Sequence, residues 1–224
     1  MKNVLILGAG GQIARHVINQ LADKQTIKQT LFARQPAKIK QTFQYDDLQN
    51  LFHKFPTNSK IIMGDVLNHA ALKQAMQGQD VVYANLTGED LDIQANSVIA
   101  AMKACDVKRL IFVLSLGIYD EVPGKFGEWN NAVIGEPLKP FRRAADAIEA
   151  SGLEYTILRP AWLTDEDIID YELTSRNEPF KGTIVSRKSV AALITDIIDK
   201  PEKHIGENIG INQPGTDGDK PFFM

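Results

Sequence analysis

The residues with the clearest chemical potential form a glycine-rich stretch at the start of the chain, MKNVLILGAGGQIA over residues 1–14. Val4–Leu7 is a short apolar run, long enough for a buried parallel strand, and glycines follow it directly. Gly8 permits a tight turn, and Gly11 lets backbone N–H groups approach a ligand closely. Because a helix N-terminus offers unpaired N–H groups and a partial positive charge, this stretch predicts a site for the phosphates of a nucleotide. Its candidate contact residues are Gly8, Gly10, Gly11, Gln12 and Ile13.

A second candidate group follows the next apolar run, Gln29–Ala33, which predicts the second strand of the same unit. In a dinucleotide-binding fold this strand ends beside the adenosine ribose, about 20 residues after the glycines. An acidic residue there would bind the ribose 2′-hydroxyl. Arg34 can instead pair with a 2′-phosphate through two hydrogen bonds, with Lys38 adding a second charge. The alternative is an ordinary solvated arginine. We favour the first interpretation, which predicts NADP(H) over NAD(H) as the cofactor.

Further candidate contacts with such a cofactor come after the later strands. Asp65 follows the run Lys60–Met63 and could accept from the adenine amino group while Val66 packs on the ring. Asp65 could also begin a turn, with Asn68 capping the next helix. The remaining candidates are Asn85, Leu86 and Thr87 beside the pyrophosphate and the nicotinamide ribose, Ser115 after the fifth strand, and Pro160, Ala161 and Trp162 near the nicotinamide.

The elements that must position these residues alternate between strand and helix along the chain. Strand-like runs occupy residues 4–7, 29–33, 60–63, 80–84, 108–114 and 154–158, and helical patterns occupy residues 12–23, 70–77, 92–103 and 189–199. This alternation predicts an α/β fold, a Rossmann-type doubly wound parallel sheet with helices on both faces. We expect a single domain over residues 1–211, with an extra helix within residues 39–55. The tail, residues 212–224, is expected to be loose, and only Phe222 and Phe223 would pack.

Composition and charge argue against several classes of protein. The chain has 224 residues, 44% of them hydrophobic, and a formal net charge of -3, so nothing favours binding to nucleic acid. No apolar run is long enough to cross a membrane, and the early apolar run is too short for a signal peptide. The four histidines show no ligand spacing, which predicts no metal site. The single Cys105 has no partner for an internal disulfide, which is compatible with the cytoplasm, where we expect the protein.

Six stretches of the chain carry a family resemblance. They are GAGGQIA, ARQPAK around Arg34, GDV at 64–66, LSLGIYDE at 114–121, SGLEYTILRPAWLTD at 151–165 and GTIVSRKSVAALI at 182–194. As a set they resemble the atypical short-chain dehydrogenases/reductases, in particular the NmrA-like and biliverdin-reductase-B-like NAD(P)H-binding proteins. The resemblance covers residues 3–211 and implies an NAD(P)H-binding Rossmann fold, but it says little about the substrate.

Members of this family that catalyse a reaction often have a serine after strand five. They combine it with a tyrosine and with a lysine that follows this tyrosine by four residues. Ser115 stands at the serine position. The resemblance places the tyrosine position at Pro137 and the lysine position at Phe141. No tyrosine of the chain has a lysine four residues later, so the usual catalytic pair is absent.

Three interpretations of this absence stay open. The first is an NADPH-dependent oxidoreductase that delivers hydride directly to a flavin, a quinone or another conjugated acceptor, with a proton from water or another side chain. The second is a non-catalytic, NmrA-like sensor that binds NADP and reports the redox state to a partner protein. In the third, Tyr119, four residues after Ser115, acts as the proton donor, although packing is its more ordinary role.

Two segments are expected to form the substrate side of the site. Residues 116–138 contain glycines, prolines and three aromatic residues, and are expected to form a long loop over the carboxyl edge of the sheet. Residues 161–181 are expected to form the second loop. The rings of Trp129 and Trp162 could enclose a flat, aromatic small-molecule substrate, or they could pack in the core or in a lid.

Overall fold

The structure is a computed structural model that describes residues 1–35 and 56–224. The helix expected within residues 39–55, and the candidate Lys38, lie outside the described residues. The described strands are β1 (Lys2–Leu7), β2 (Ile27–Ala33), β3 (Ser59–Met63), β4 (Val81–Ala84), β5 (Arg109–Val113), β6 (Glu154–Pro160), β7 (Trp162–Thr164), β8 (Glu172–Thr174), β9 (Ile184–Ser186) and β10 (Glu207–Asn212). The described helices are α1 (Gln12–Gln20), α2 (His69–Met76), α3 (Leu91–Ala104), α4 (Gly124–Glu149) and α5 (Arg187–Asp199).

The described strands form a main sheet in the order β3-β2-β1-β4-β5-β6-β10-β8. Neighbouring strands are parallel except for β10 and β8, which pair antiparallel at the edge. β7 and β9 form a separate parallel pair. The strand order reverses between β1 and β4, and ligands of open α/β sheets bind beyond the carboxyl ends of the strands at such a switch point. The predicted α/β, Rossmann-type parallel sheet is confirmed.

The hydrophobic core lies on both faces of the main sheet, and β1 shows how the sequence divides between the faces. Val4 and Ile6 pack with Val17 of α1 and with α5 on one face. Leu5 and Leu7 pack with residues of α2, α3 and α4 on the other face. Because successive side chains of a strand point to opposite faces, a strand covered on both sides is apolar at every position. This explains why Val4–Leu7 reads as an unbroken apolar run.

The prediction of a long loop over residues 116–138 is wrong for most of its length, because α4 begins at Gly124. Pro137 and Pro140 lie inside this helix, where each removes a backbone hydrogen bond. The inner face of α4, which includes Ile148, is buried against the sheet and α3. This tertiary packing outweighs the unfavourable local preference of the prolines, which is why the local sequence misled.

The second expected loop and the tail also have more regular contacts than the sequence indicated. Residues 161–181 contain the short strands β7 and β8. In the tail, the carbonyl oxygen of Thr216 accepts from the N–H of Thr183 at 3.0 Å and from its hydroxyl at 2.7 Å. Pro221 is buried, whereas Phe222 and Phe223, both expected to pack, are 73% and 44% exposed. The expectation of a loose tail therefore fails near its start, because these partners are distant in sequence and local composition does not reveal them.

The described part of the chain contains neither a membrane-spanning helix nor a cluster of metal-ligating side chains. No helix there combines the length and the apolar composition needed to cross a bilayer. No group of three or more His, Cys, Asp or Glu side chains in residues 1–35 and 56–224 is placed to hold a metal ion. Cys105 is half-buried at the end of α3, with its Sγ 3.6 Å from the carbonyl oxygen of Lys73.

A buried ion pair anchors the segment that connects β5 to α4. The side chain of Arg159 is fully buried, that of Glu121 is 5% exposed, and the two form an ion pair. Arg159 Nε also donates to Asn208 Oδ1 at 2.7 Å. The carboxylate of Glu121 accepts from the backbone N–H groups of Gly117 and Tyr119, both at 2.9 Å. A single carboxylate therefore fixes the connecting segment to the end of β6.

We expect Glu121→Ala to destabilise the fold by about 3–5 kcal/mol, because it leaves the buried guanidinium of Arg159 without a compensating charge. The control is Asp219→Ala, which breaks an ion pair with Lys125 whose side chains are 71% and 77% exposed. That change should leave stability within experimental error, because water and salt screen exposed pairs. Urea unfolding followed by tryptophan fluorescence measures both variants, and equal losses would contradict this account.

Candidate functional site

A cavity of about 540 Å³ opens at the carboxyl ends of β1 to β4, at the switch point of the sheet. The predicted contact residues on its wall are Gly8, Gly10, Gly11, Arg34, Asp65, Val66, Asn85, Leu86 and Thr87. The other described residues of the wall are Phe32, Ala33, Gln35, Gly64, Leu67, Asp90 and Gln94. Four segments that are far apart in the sequence thus meet around one cavity.

The glycine turn is shaped by its close approach to the segment that leaves β4. Gly8 has a φ of +70°, and a Cβ there would lie 2.1 Å from the carbonyl oxygen of Asn85. Neither the backbone conformation nor the space therefore suits a side chain. The N–H of Gly11 donates to the carbonyl oxygen of Gly8 at 2.9 Å and closes the turn. α1 then begins at Gln12 without a side-chain cap, which leaves its first N–H groups to a ligand or to solvent.

Arg34 lies on the wall of the cavity directly after β2, where the sequence placed it. Its side chain is exposed. Within the described ranges, 1–35 and 56–224, it has no ion-pair partner. A guanidinium in this state can take an anionic group of a ligand through paired hydrogen bonds.

Asp65 and Val66 follow β3 on the wall of the cavity. Asp65 Oδ1 accepts from the N–H of Leu67 at 2.9 Å and so begins a turn. Asn68 Oδ1 accepts from the N–H of Ala71 at 3.1 Å and caps α2, as predicted. The turn uses one of the two carboxylate oxygens of Asp65, so its contact with an adenine stays a prediction.

The loop after β4 is tied to the start of α3 by a side chain that the sequence analysis missed. Gln94 Nε2 donates to the carbonyl oxygen of Thr87 at 3.1 Å and to Asp90 Oδ1 at 2.7 Å. Asp90 and Gln94 both line the cavity. Their spacing of four residues at the start of a helical pattern was a usable signal, because such residues share a helix face. The other missed residues of the wall offered no comparable signal.

Six predicted contact residues are not among the described residues of the cavity wall, namely Gln12, Ile13, Ser115, Pro160, Ala161 and Trp162. Ile13 and Ala161 are buried in the core, at 5% and 3% exposure. The backbone after β6 is also engaged, since Ala161 N donates to Ile211 O at 2.9 Å and Trp162 N donates to Thr183 O at 3.1 Å. These interactions arise from long-range strand pairing, which the local sequence does not specify. Contacts of the six residues with a cofactor stay predictions.

The prediction that Trp129 and Trp162 enclose a flat substrate is wrong for this conformation. Their ring centres are 5.0 Å apart, a distance typical of direct contact between aromatic rings, so no third ring fits between them. Trp162 Nε1 donates to Asn130 Oδ1 at 2.9 Å. The ring of Phe126 stacks on Trp129, with 6.1 Å between the ring centres. The alternative interpretation, that the indoles pack, describes this arrangement.

Tyr119, considered as a proton donor, makes its polar contacts with other side chains of the protein. Its hydroxyl donates to Glu149 Oε1 at 3.0 Å and accepts from Asn208 Nδ2 at 2.8 Å. The guanidinium groups of Arg142 and Arg176 lie 4.6 and 4.4 Å from its ring centre. Burial, and then the charge of Glu149, raise the pKa of Tyr119 well above its ordinary value. These contacts support a packing role, and they give the proton-donor hypothesis no support.

Comparison with known proteins connects the cavity to a family. The model of a family described as NAD(P)H-binding matches residues 8–201 of this chain. The chain belongs to the NAD(P)H-binding family. The match starts at Gly8, the first glycine of the turn, and includes all described residues of the cavity wall. This confirms the resemblance seen in the sequence to NAD(P)H-binding proteins.

Solved structures agree with this assignment. A Rossmann-fold NAD(P)-binding family protein from Shigella flexneri is 85% identical, with 100% of both chains covered and a TM-score of 0.83. A short-chain dehydrogenase/reductase (wide type) from Veillonella parvula DSM 2008, in complex with NADP, is 29% identical, with 99% of both chains covered and a TM-score of 0.86. ChuY, an anaerobillin reductase from Escherichia coli O157:H7, is 20% identical over 97% of this chain and 100% of its own, with a TM-score of 0.79, which is a likeness of fold alone.

The described residues of this NAD(P)H-binding protein fit the cofactor of its family. A side chain at Gly8 would occupy the space in which the glycine turn contacts the backbone of Asn85. The uncapped start of α1 suits phosphate oxygens, because its N–H groups are unpaired and its dipole is positive there. Arg34 supplies a further cation on the same cavity wall.

We expect Gly8→Ala to disrupt the cavity, and Gly78→Ala is its matched control. Both glycines have a left-handed backbone, with φ of +70° and +72°, so both changes should cost about 1–2 kcal/mol from conformation alone. Gly78 has nothing within 4 Å of an added Cβ, whereas at Gly8 the clash should cost a further ~1–3 kcal/mol. Gly8→Ala should also weaken NADPH binding by more than about tenfold, or 1.4 kcal/mol. Urea unfolding and a fluorescence titration with NADPH measure these effects, and similar results for the two variants would refute the account.

Proposed function

We propose that this protein is an NADPH-dependent oxidoreductase whose acceptor is a flat, conjugated small molecule of the flavin or quinone type. The observation that carries the proposal is the cavity at the switch point, in which the glycine turn, Arg34 and the loop after β4 share one wall. The 29% identical Veillonella protein, which is a short-chain dehydrogenase/reductase in complex with NADP, supports it. The single cysteine needs no oxidising compartment, so the cytoplasm is part of the proposal.

The choice of NADP(H) over NAD(H) rests on Arg34. It lies on the cavity wall directly after β2, the strand that ends beside the adenosine ribose in dinucleotide-binding folds. Its planar cation suits a 2′-phosphate, and no ion pair within the described residues occupies it. Asp65 and Asp90 also line the cavity, but each has a carboxylate oxygen engaged, by Leu67 and by Gln94.

The conjugated acceptor is inferred from the absence of a tyrosine–lysine pair in α4. Nicotinamide, when bound, supplies a hydride. In related enzymes a tyrosine and a lysine manage the accompanying proton, but the family resemblance assigns those positions to Pro137 and Phe141 here. A conjugated acceptor can take its proton from water, so an aligned acceptor is the main requirement.

A second candidate function is a non-catalytic NADP-binding sensor of the NmrA-like type, which would report the redox state to a partner protein. The observation that favours it is the direct contact between Trp129 and Trp162, which fills the space expected for a substrate. The absence of the catalytic tyrosine and lysine also agrees with it. The two candidates share the cofactor and differ in turnover.

We expect the unmodified protein to bind NADPH at least about tenfold more tightly than NADH. Arg34→Ala should remove about 1.4 kcal/mol or more of that preference, because the 2′-phosphate loses its paired cation. Calorimetric titration with both nucleotides measures the preference, and NADH is the internal control because it lacks the 2′-phosphate. Equal affinities for NADPH and NADH in the unmodified protein would rule out the role of Arg34.

We also expect the protein to oxidise NADPH when a suitable acceptor is present. The assay follows the loss of nicotinamide absorbance with FMN, menadione and biliverdin, each offered in turn. Gly8→Ala is the control, because it should fold with a damaged cofactor cavity and show background oxidation only. Tight NADPH binding without oxidation by any of the three acceptors would overturn the enzyme proposal for these acceptor classes and favour the sensor.

A further inference from the structure

The side chain of Asn85 offers the cavity a hydrogen-bond donor that no described protein group uses. Asn85 lines the cavity where the chain leaves β4. Its Oδ1 accepts from the hydroxyl of Tyr83 at 3.3 Å. Its Nδ2 has no acceptor within residues 1–35 and 56–224. A Cβ added to Gly11 would lie 2.0 Å from this Nδ2, so the amide NH₂ group sits directly over the glycine turn.

The buried hydroxyl of Tyr83 decides which way this amide points. Tyr83 is fully buried, and burial raises its pKa well above the ordinary value, so the phenol stays a neutral O–H donor. Asn85 Oδ1 is its acceptor, and the described part of the chain provides no other. A reversed amide would leave the O–H group buried without an acceptor, which is unfavourable because the donor has also lost its hydrogen bonds to water. The oxygen therefore faces β4 and the NH₂ group faces the glycine turn.

We propose that Tyr83 is a positioning residue for the cofactor, because its hydroxyl holds Asn85 so that the amide NH₂ donates to the phosphates of bound NADPH. This inference rests on the proposed function, since it concerns the same cavity. The backbone N–H groups at the start of α1 approach the phosphates from the glycine turn, and Asn85 would add a side-chain donor from β4. Donation to a charged oxygen is stronger than donation to a neutral one, so the orientation of one amide affects affinity measurably.

A double-mutant cycle tests whether Tyr83 acts through Asn85. Asn85→Ala should weaken NADPH binding by about tenfold, and Tyr83→Phe by about fivefold, in titrations with the folded protein. In the Asn85→Ala background, Tyr83→Phe should change the affinity by less than about twofold, because no amide is left to orient. A merely structural role of the hydroxyl would give the same loss in both backgrounds, and that result would overturn the inference.

Two further variants keep the test decisive. Tyr155→Phe, on β6 and away from the described cavity wall, is the matched control and should leave NADPH affinity unchanged. Asn85→Asp keeps an oxygen for Tyr83 but replaces the donor with an anionic oxygen. Asn85→Asp should therefore weaken NADPH binding more than Asn85→Ala does. This comparison does not require Tyr83→Phe to fold. Affinity equal to that of the unmodified protein in Asn85→Asp would overturn this inference alone, whereas no NADPH binding by the unmodified protein would overturn the proposed function as well.

Discussion

The contact between Gly8 and the segment at Asn85 is the constraint on which the cofactor side of this protein depends. The N–H of Gly8 donates to Phe32 O, and the N–H of Asn85 donates to Leu7 O, so the ends of β1, β2 and β4 are joined at one point. A side chain at Gly8 would separate them. The cavity lies where these three strands end. Because the glycines of the turn carry no side chains, the uncapped N-terminus of α1 stays accessible beside the cavity.

The polar groups of the protein divide into two sets with different uses. Around the cavity, Arg34 and the amide NH₂ group of Asn85 have no partner within the described residues. Around Tyr119, by contrast, the arginines pair with carboxylates, and Glu121 is satisfied by Arg159 and two backbone N–H groups. Groups whose hydrogen bonds are already made stabilise the fold, and groups that are left open suit a ligand. This division is why cofactor binding is the best supported part of the function.

The helix α4 explains why the substrate side differs from the expectation. It replaces the expected loop from Gly124 onward and brings Phe126 and Trp129 against Trp162 of β7. Pro137 and Phe141, to which the family resemblance assigns the tyrosine and lysine positions, also lie in this helix. On this side of the protein α4 therefore contributes packing in place of an open loop.

The sequence by itself determined the alternation of strands and helices in the βα units, the glycine turn, the position of Arg34 and the family. These features follow from local patterns, since a buried parallel strand is an apolar run and a turn with positive φ favours glycine. Only the tertiary structure decided that α4 is a helix despite Pro137, that the indoles meet, and that Gln94 joins the cavity wall. Those outcomes depend on contacts between residues distant in the chain, and burial there outweighs local preference. The orientation of Asn85 belongs to the same group, because it is set by a hydroxyl whose burial no local pattern reveals.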